Sequence, residues 1–320
     1  LSDFVIRHFG TEVLRNFVAP LVSGIYAGDP SRLSARSAFP YLIDLEREYG
    51  SLIKGLVFSA RRSPKPRRPR QLCSFQQGLQ RLPLRLAERI GADNVMLRRQ
   101  VQNLRAISRG GRNAFTMTVS TADGARELAG SAVVIATPAY EAAVLLQSFS
   151  TGCATELASI EYPPLAVLCL AYRKSDVPHP LDGFGFLVPR GEGVRFLGCI
   201  WSSTLFSGRA QADAALLTIF AGGATDTGIA SLSDGQVVDA ALQDLRTTLK
   251  ITAAPRIMSV HRYQRAIPQP TLGYEARLQR IDQELGKIPG IYLAGNYLRG
   301  VSIPDSVKQA SEVANRIRWQ

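Results

Sequence analysis

Ile291-Tyr-Leu-Ala-Gly-Asn-Tyr-Leu-Arg-Gly-Val-Ser-Ile-Pro-Asp305 is the stretch on which the reading of this chain turns. Ile291 to Ala294 is a short apolar run of the kind that forms a buried strand. Gly295 and Gly300 bracket a turn in which no Cβ blocks close approach of a ligand to the backbone. Pro304 suits the first helical turn, where a missing N–H costs nothing. Asp305 brings a negative charge to the positive end of the helix dipole. Val307, Ala310, Val313, Ala314 and Ile317 follow at three- and four-residue spacings and predict one apolar helical stripe. Strand, glycine turn and helix N-terminus together can hold an electron-rich group against unpaired backbone N–H groups. An ordinary strand-to-helix turn has the same pattern, and both readings stand at this level.

The 320 residues are 46% hydrophobic and 20% charged, a globular composition long enough for one large domain or two to three lobes. The net charge of +12 favours anionic partners: acidic lipid, nucleic acid or a carboxylate-bearing substrate. Cys73, Cys153, Cys169 and Cys199 lie far apart, and His8, His179 and His261 have no ligand spacing, so no metal site is expected. No apolar run reaches transmembrane length and no signal peptide is visible. The start at Leu1, directly in an amphipathic helical pattern, suggests a fragment of a longer protein.

Taken in order, Leu1 to Ala19 predicts a helix, Pro20 to Ser34 a loop, and Ser34 the cap of a helix running through Leu42, Leu45 and Tyr49. The segment from Tyr49 to Ala87 contains no acidic residue, and Arg61 to Arg70 carries six positive charges and three prolines. It reads as an extended or disordered loop, either a solvated insertion or a segment drawn to anionic lipid. Nucleic acid is disfavoured because no aromatics are interleaved and no nucleic-acid fold signature follows. A helix is expected over 83–90. Strands are expected at 95–97, 100–107, 115–120 and 132–136, with Asp123-Gly124 as a hairpin turn. A second β region is expected over 163–172, 183–189, 196–201 and 216–221, followed by a helix capped by Ser233 and Gln236 and reaching about Lys250. Strands with a covering helix make an α+β lobe.

Several phrases resemble the protoporphyrinogen oxidase family of flavin amine oxidases. They are Gly295-Asn-Tyr-x-x-Gly-Val-x-Ile-x-Asp305, Val-Ser-Gly-Ile-Tyr-Ala-Gly-Asp-Pro between residues 22 and 30, Ser74-Phe-x-x-Gly-Leu79, Tyr162-Pro-Pro, Gly183-Phe-Gly-x-Leu-Val-Pro189 and Ala266-Ile-Pro-Gln269. The family often shows Trp where Tyr263 stands and a Gly-His a little after the Ala-Ile-Pro-Gln-Tyr segment; Tyr263, Pro270 and Tyr274 depart from that. The resemblance implies a mixed α/β and α+β chain. Residues 1–70 would be a helical lobe next to substrate and membrane, ending in the basic loop, and residues 151–260 a substrate-binding α+β lobe. Residues 71–150 and 261–320 would be the later part of an FAD-binding, glutathione-reductase-like domain. It places Val101, Tyr263, Ala266, Gly295, Gly300, Val301, Ser302 and Ile303 at the FAD, and Phe184, Leu187, Ile200 and Trp201 at the substrate.

The implied reaction removes six electrons from a porphyrinogen in three FAD-mediated steps, with oxygen as acceptor. Because the flavin carries the hard chemistry, no catalytic side chain is expected. The implied protein is cytoplasmic and peripherally bound to an anionic membrane surface, with no nucleic-acid partner and a homodimer left open. Strand alternation puts Val194, Phe196, Gly198 and Ile200 on one face and Arg195, Leu197, Cys199 and Trp201 on the other. The resemblance makes Trp201 the expected cavity wall, with core filling as its alternative; with Trp201 in the cavity, Ile200 points away unless the strand ends there. No Gly-x-Gly-x-x-Gly occurs in the chain, so this segment alone is expected to be inactive. Another flavin amine oxidase or desaturase, and a non-enzymatic membrane or nucleic-acid binder built on the basic loop, remain alternatives.

Overall fold

The computed structural model describes residues 1–62, 72–109, 112–121 and 124–318. The basic run from residue 63 onward and Asp123 of the expected hairpin turn lie outside the described residues. Two compact units result: residues 1–81 with 162–267, and residues 82–161 with 268–320. The strands are β1 (Val101–Arg109), β2 (Arg112–Thr121), β3 (Gly124–Gly130), β4 (Val133–Ile135), β5 (Leu165–Arg173), β6 (Gly185–Leu187), β7 (Phe196–Trp201), β8 (Ala214–Gly222), β9 (Ile257–Tyr263) and β10 (Ile291–Leu293).

The first unit begins with helices. Ser2–Phe9 buries Phe4 and Val5 and stops at Gly10, whose φ of 83° ends the helix. The chain then continues helically through Pro20 to Tyr26, where a loop is expected from the sequence. A wide π-type turn over Leu14–Val18 precedes this helix and places Pro20 in its opening residues, where a ring without an N–H is tolerated. Ser34 caps the next helix by accepting a hydrogen bond from the Ser37 N–H at 3.2 Å. That helix breaks at Phe39, because the residue before Pro40 is pushed out of the helical region, and resumes as Pro40–Tyr49. Leu1, Phe4, Val5, Val22, Leu33, Leu45 and Leu52 close a small core among these helices.

The same unit holds a five-stranded antiparallel sheet in the order β6-β7-β8-β5-β9. Alternation along β5 turns Ala166, Leu168, Leu170 and Tyr172 to one face. There they meet Val237, Val238, Ala241 and Leu245 of the Asp234–Thr248 helix. Each fully buried leucine of this layer stabilises by about 1.5–3 kcal/mol. The helix starts with the expected capping box: the Gln236 N–H donates to Ser233 Oγ at 3.3 Å, and the Ser233 N–H donates to Gln236 Oε1 at 2.8 Å. Asp244 of that helix is buried and accepts from the Arg195 and Phe196 N–H groups at 2.8 and 3.0 Å, which ties the helix to the start of β7.

The second unit combines the antiparallel meander β1-β2-β3 with a two-stranded parallel pair, β10 against β4. The Thr151–Ala158 helix, capped by Ser150, packs on the Tyr274–Gly286 helix, with Ser150 Oγ donating to Glu284 Oε2 at 2.7 Å. Residues 95–97 do not form the expected strand; among the described residues they join no sheet, and Met96 and Leu97 are exposed. His261 lies within β9. The terminal helix, Ile303–Arg318, buries Gln309 and Val313, while Val307, Ala310 and Ala314 of the predicted stripe are exposed. The two buried residues lie four positions apart, and the polar one, Gln309, was hidden by its side chain's chemistry.

Candidate functional site: an apolar pocket and a glycine turn

In the first unit a pocket of about 540 Å³ opens between the Ala19–Tyr26 helix and the sheet. Leu21, Gly24 and Ile25 form one wall; residues 184–187, residues 197–200 and Phe220 form the other. Gly185 is essential to this wall. Its φ is 139°, and a Cβ there would lie 2.1 Å from the Cys199 carbonyl oxygen, so only glycine lets β6 press this closely on β7. Phe184, Leu187 and Ile200, three of the four expected substrate residues, line the pocket.

Trp201 does not. It belongs to the core under the sheet, 7% exposed, with its ring 4.8 Å from His179 and against Gly183. The face of Cys199 and Trp201 is therefore the core face and that of Gly198 and Ile200 the pocket face, the opposite of the expected assignment, and a β-bulge adds Phe196 to the core side. Phe196 opposes Ala221 and Gly198 opposes Phe220, so two steps of β7 match one step of β8. Leu197 is the extra residue. Phe196, Cys199 and Trp201 consequently share the core face, and Gly198 and Ile200 face the pocket. Simple alternation from residue 194 cannot see such an insertion.

The described lining residues carry no charge. Cys199 borders the pocket with its backbone; its thiol is turned into the core, where burial pushes it up to about 12. The walls can hold a flat apolar body, but they offer no group poised to move a proton.

In the second unit, β10 leads through Gly295 and the short Asn296–Arg299 helix to Gly300. The Gly295 N–H donates to Gln309 Oε1 at 3.3 Å, and a Cβ on Gly295 would meet the Tyr297 ring at 2.5 Å. Gly300 has a φ of 137°, and a Cβ there would sit 2.5 Å from Asp305 Oδ2. The terminal helix starts with a reciprocal cap: Asp305 N–H donates to Ser302 Oγ at 3.2 Å and Ser302 N–H to Asp305 Oδ2 at 3.4 Å. The sequence leaves unpaired N–H groups here for an electron-rich ligand; the cap consumes two of them and adds a carboxylate. The carboxylate disfavours a phosphate at this helix start, where Ser302 and Ile303 are exposed.

The remaining predicted residues are dispersed. Val101 opens β1 opposite Val119, at a register irregularity in the second unit. Tyr263 ends β9 opposite Leu165 and is half exposed. Ala266 donates its N–H to the Pro163 carbonyl at 3.0 Å and packs with Ile267 near Leu165 and Leu197. Both belong to the first unit. Residues that sequence reasoning missed are Leu21, Gly24, Ile25, Leu197, Gly198 and Phe220; the Val-Ser-Gly-Ile-Tyr phrase was the available signal for the first three. Among the described residues no group of His, Cys, Asp and Glu could hold a metal ion, and no helix is long and apolar enough to cross a membrane.

With this mixed architecture, the family model for flavin-containing amine oxidoreductases matches residues 1–318, and the chain belongs to that family. FAD is the cofactor this membership implies. Within the family, its relatives include the chloroplastic protoporphyrinogen oxidase of Oryza sativa subsp. japonica, 35% identical over 99% of this chain and 62% of that protein. The coproporphyrinogen III oxidase of Bacillus subtilis (strain 168) is 27% identical over 97% of this chain and 65% of that protein. A crystallised Exiguobacterium sp. 255-15 protein, provisionally assigned as a protoporphyrinogen oxidase, superimposes with a TM-score of 0.80 at 26% identity over 99% of this chain and 66% of its own. The chain thus spans about 62% of the length of the rice relative.

Proposed function

We propose that the whole protein oxidises a porphyrinogen to the porphyrin, with FAD as the immediate and oxygen as the terminal electron acceptor. The observation that carries this reading is the charge-free pocket, whose walls include Phe184, Leu187 and Ile200, in a chain of this family. Bound FAD would take up the electrons and hydrogen released by the macrocycle. The chain's own residues then need only bind the ring, orient one carbon and exclude water. Phe184 and Phe220 supply flat aromatic area, and Leu187 and Ile200 supply aliphatic contact. The Gly300 turn is the proposed seat of the flavin ring edge, with Ser302 and Asp305 fixing its backbone; Val101, Tyr263 and Ala266 are the further proposed flavin contacts.

Membrane association is part of the same proposal. Phe17, Leu21 and Ile25 recur every four residues and are exposed, Phe17 by 71%, and Ile53, Val57 and Phe58 are exposed on a neighbouring helical segment. Such a surface, together with the basic stretch in the sequence, suits peripheral binding to an anionic bilayer.

The test is turnover by the flavin-loaded protein, followed by the growth of porphyrin fluorescence. Porphyrin formation without oxidation of simple amines is the expected result. Amine oxidation without porphyrin formation would place the protein in another branch of the family.

A further inference from the structure

The second unit has a cavity of its own, with a different chemistry from the apolar pocket. About 300 Å³ opens between β10, the Tyr274–Gly286 helix and the terminal helix. Gln309, Glu312, Val313 and Arg316 recur at steps of three, one and three residues, so one face of the terminal helix forms one side. Leu278, Asp282 and Leu285 do the same for the opposite helix. Gln309 is 5% exposed. Its Oε1 accepts from the Gly295 N–H at 3.3 Å, which orients the amide and turns Nε2 away from Gly295. Nε2 is buried and makes no hydrogen bond. A buried donor without an acceptor is unfavourable, so this amide calls for an oxygen atom on its Nε2 side. Charged groups stand around it. Arg299 pairs with Glu312 at 3.3 Å. Arg316 and Asp282, both exposed, have no ion-pair partner among the described residues. The Arg316 guanidinium lies over the Tyr292 ring, 5.4 Å from its centroid, a placement that fixes the plane and leaves its N–H edge available to an oxyanion.

We propose that this cavity binds a small zwitterion of the α-amino-acid class. Its carboxylate accepts from Gln309 Nε2 and the Arg316 guanidinium, and its ammonium donates to Asp282. The lining holds two cations, Arg299 and Arg316, and two anions, Asp282 and Glu312. A bare anion entering it meets two carboxylates, and a bare cation meets two guanidinium groups. A ligand with both charges and no net charge leaves neither lone partner, Arg316 or Asp282, unmatched. The volume is at the small end for ligand cavities, which limits the side chain to a few atoms. The same amide holds the Gly295 N–H at its other end, so the ligand sits one side chain away from the turn that leads to Gly300. The inference stands whether or not the apolar pocket takes a porphyrinogen.

The experiment is calorimetric titration of the full chain with L-alanine, and with acetate and ethylammonium as its two halves. Alanine is expected to saturate one site within about 10 mM, and each half to bind at least about tenfold more weakly. Asp282→Asn and Arg316→Gln change exposed side chains and should leave thermal unfolding as in the wild type, while each weakens alanine binding about tenfold. Gln309→Glu keeps an oxygen for the Gly295 N–H and replaces the lone donor by a carboxylate oxygen, so it should abolish binding while the chain still folds. Absence of alanine binding by the wild type would overturn the proposal. Acetate bound as tightly as alanine would overturn the ammonium contact and with it the zwitterion class. Alanine affinity unchanged in Asp282→Asn, in Arg316→Gln or in a folded Gln309→Glu would show that any binding is elsewhere and would overturn it too.

Discussion

The two units bury their apolar residues very differently. In the first, one continuous core of more than twenty residues lies between a five-stranded sheet and the Asp234–Thr248 helix, and the helical segments have a core of their own. In the second, the parallel sheet has two strands of three residues each. Leu84, Leu86, Ile90, Met96, Leu97, Val134, Val144 and Val307 are all exposed there. Parallel strands are normally covered on both faces, and two-stranded sheets are marginal in isolation. The difference teaches that the first unit carries its stability and its pocket internally, whereas the second depends on helix–helix contacts and on the β1-β2-β3 meander.

The largest expected effect is all or none. The second unit holds the Gly300 turn, but residues 1–320 contain no Gly-x-Gly-x-x-Gly, so this chain alone should purify without stoichiometric FAD. A full flavin spectrum from it would break the contrast, because the second unit would then have a complete cofactor site.

Next is the core of the first unit. Trp201→Ala should cost about 3–5 kcal/mol in denaturant unfolding. Trp201→Phe should cost less and leave porphyrin affinity unchanged, since the indole faces His179 and not the pocket. A changed affinity with unchanged stability would return Trp201 to the cavity wall.

Asp244 is expected to have a smaller effect with a clear sign. Asp244→Ala leaves two backbone N–H groups without their acceptor and should cost about 2–4 kcal/mol. Burial raises the Asp244 pKa above its ordinary value of 3.8, against the pull of those two bonds and Arg195. A raised value means that the folded state holds the proton more tightly than the unfolded one. This carboxyl's share of stability is therefore greatest in acid and declines as pH rises through its folded pKa. Asp244→Asn should remove that decline, so the stability difference between wild type and Asn variant should move in favour of Asn as pH rises past about 4. A flat difference would remove the burial account.

Smaller still are the effects in the second unit. Ser302→Ala removes the cap of the terminal helix and should cost about 1 kcal/mol. Val307→Ala, at an exposed position, should stay within about 0.5 kcal/mol. A Val307→Ala cost comparable with that of Trp201→Ala would mean that this surface is already covered in solution, and would sharpen the comparison by identifying where.

Much of the fold was legible because β5, β7 and β8 are apolar runs bounded by turn residues, and because Ser233 and Gln236 announce a helix by a specific pair of hydrogen bonds. What escaped were features that depend on a neighbour. Pro20 looks like a helix breaker until the wide turn before it is known. The β7 bulge needs β8 to define it. Gln309 is buried because its amide meets the Gly295 backbone, a reason no hydrophobicity pattern contains. In the pocket, Phe184, Leu187 and Ile200 were reached through family resemblance. Gly24 was within reach through the Val-Ser-Gly-Ile-Tyr phrase, whereas Gly198 was not, because the Phe186 carbonyl that a Cβ there would meet at 2.7 Å belongs to a neighbouring strand.

The bulge at Leu197 also bears on how such a pocket can change over generations. Gly198, Cys199, Ile200 and Trp201 keep their partners on β8 whether or not Leu197 is present, so losing that one residue would straighten the strand and take Leu197 from the lining while Gly198 and Ile200 stay in it. Losing Ile200 instead would slide Trp201 into the place opposite Thr218 and turn an indole into the cavity. Along this strand, a single codon deletion can exchange lining for core more completely than any substitution, and its outcome depends on which side of the bulge it falls.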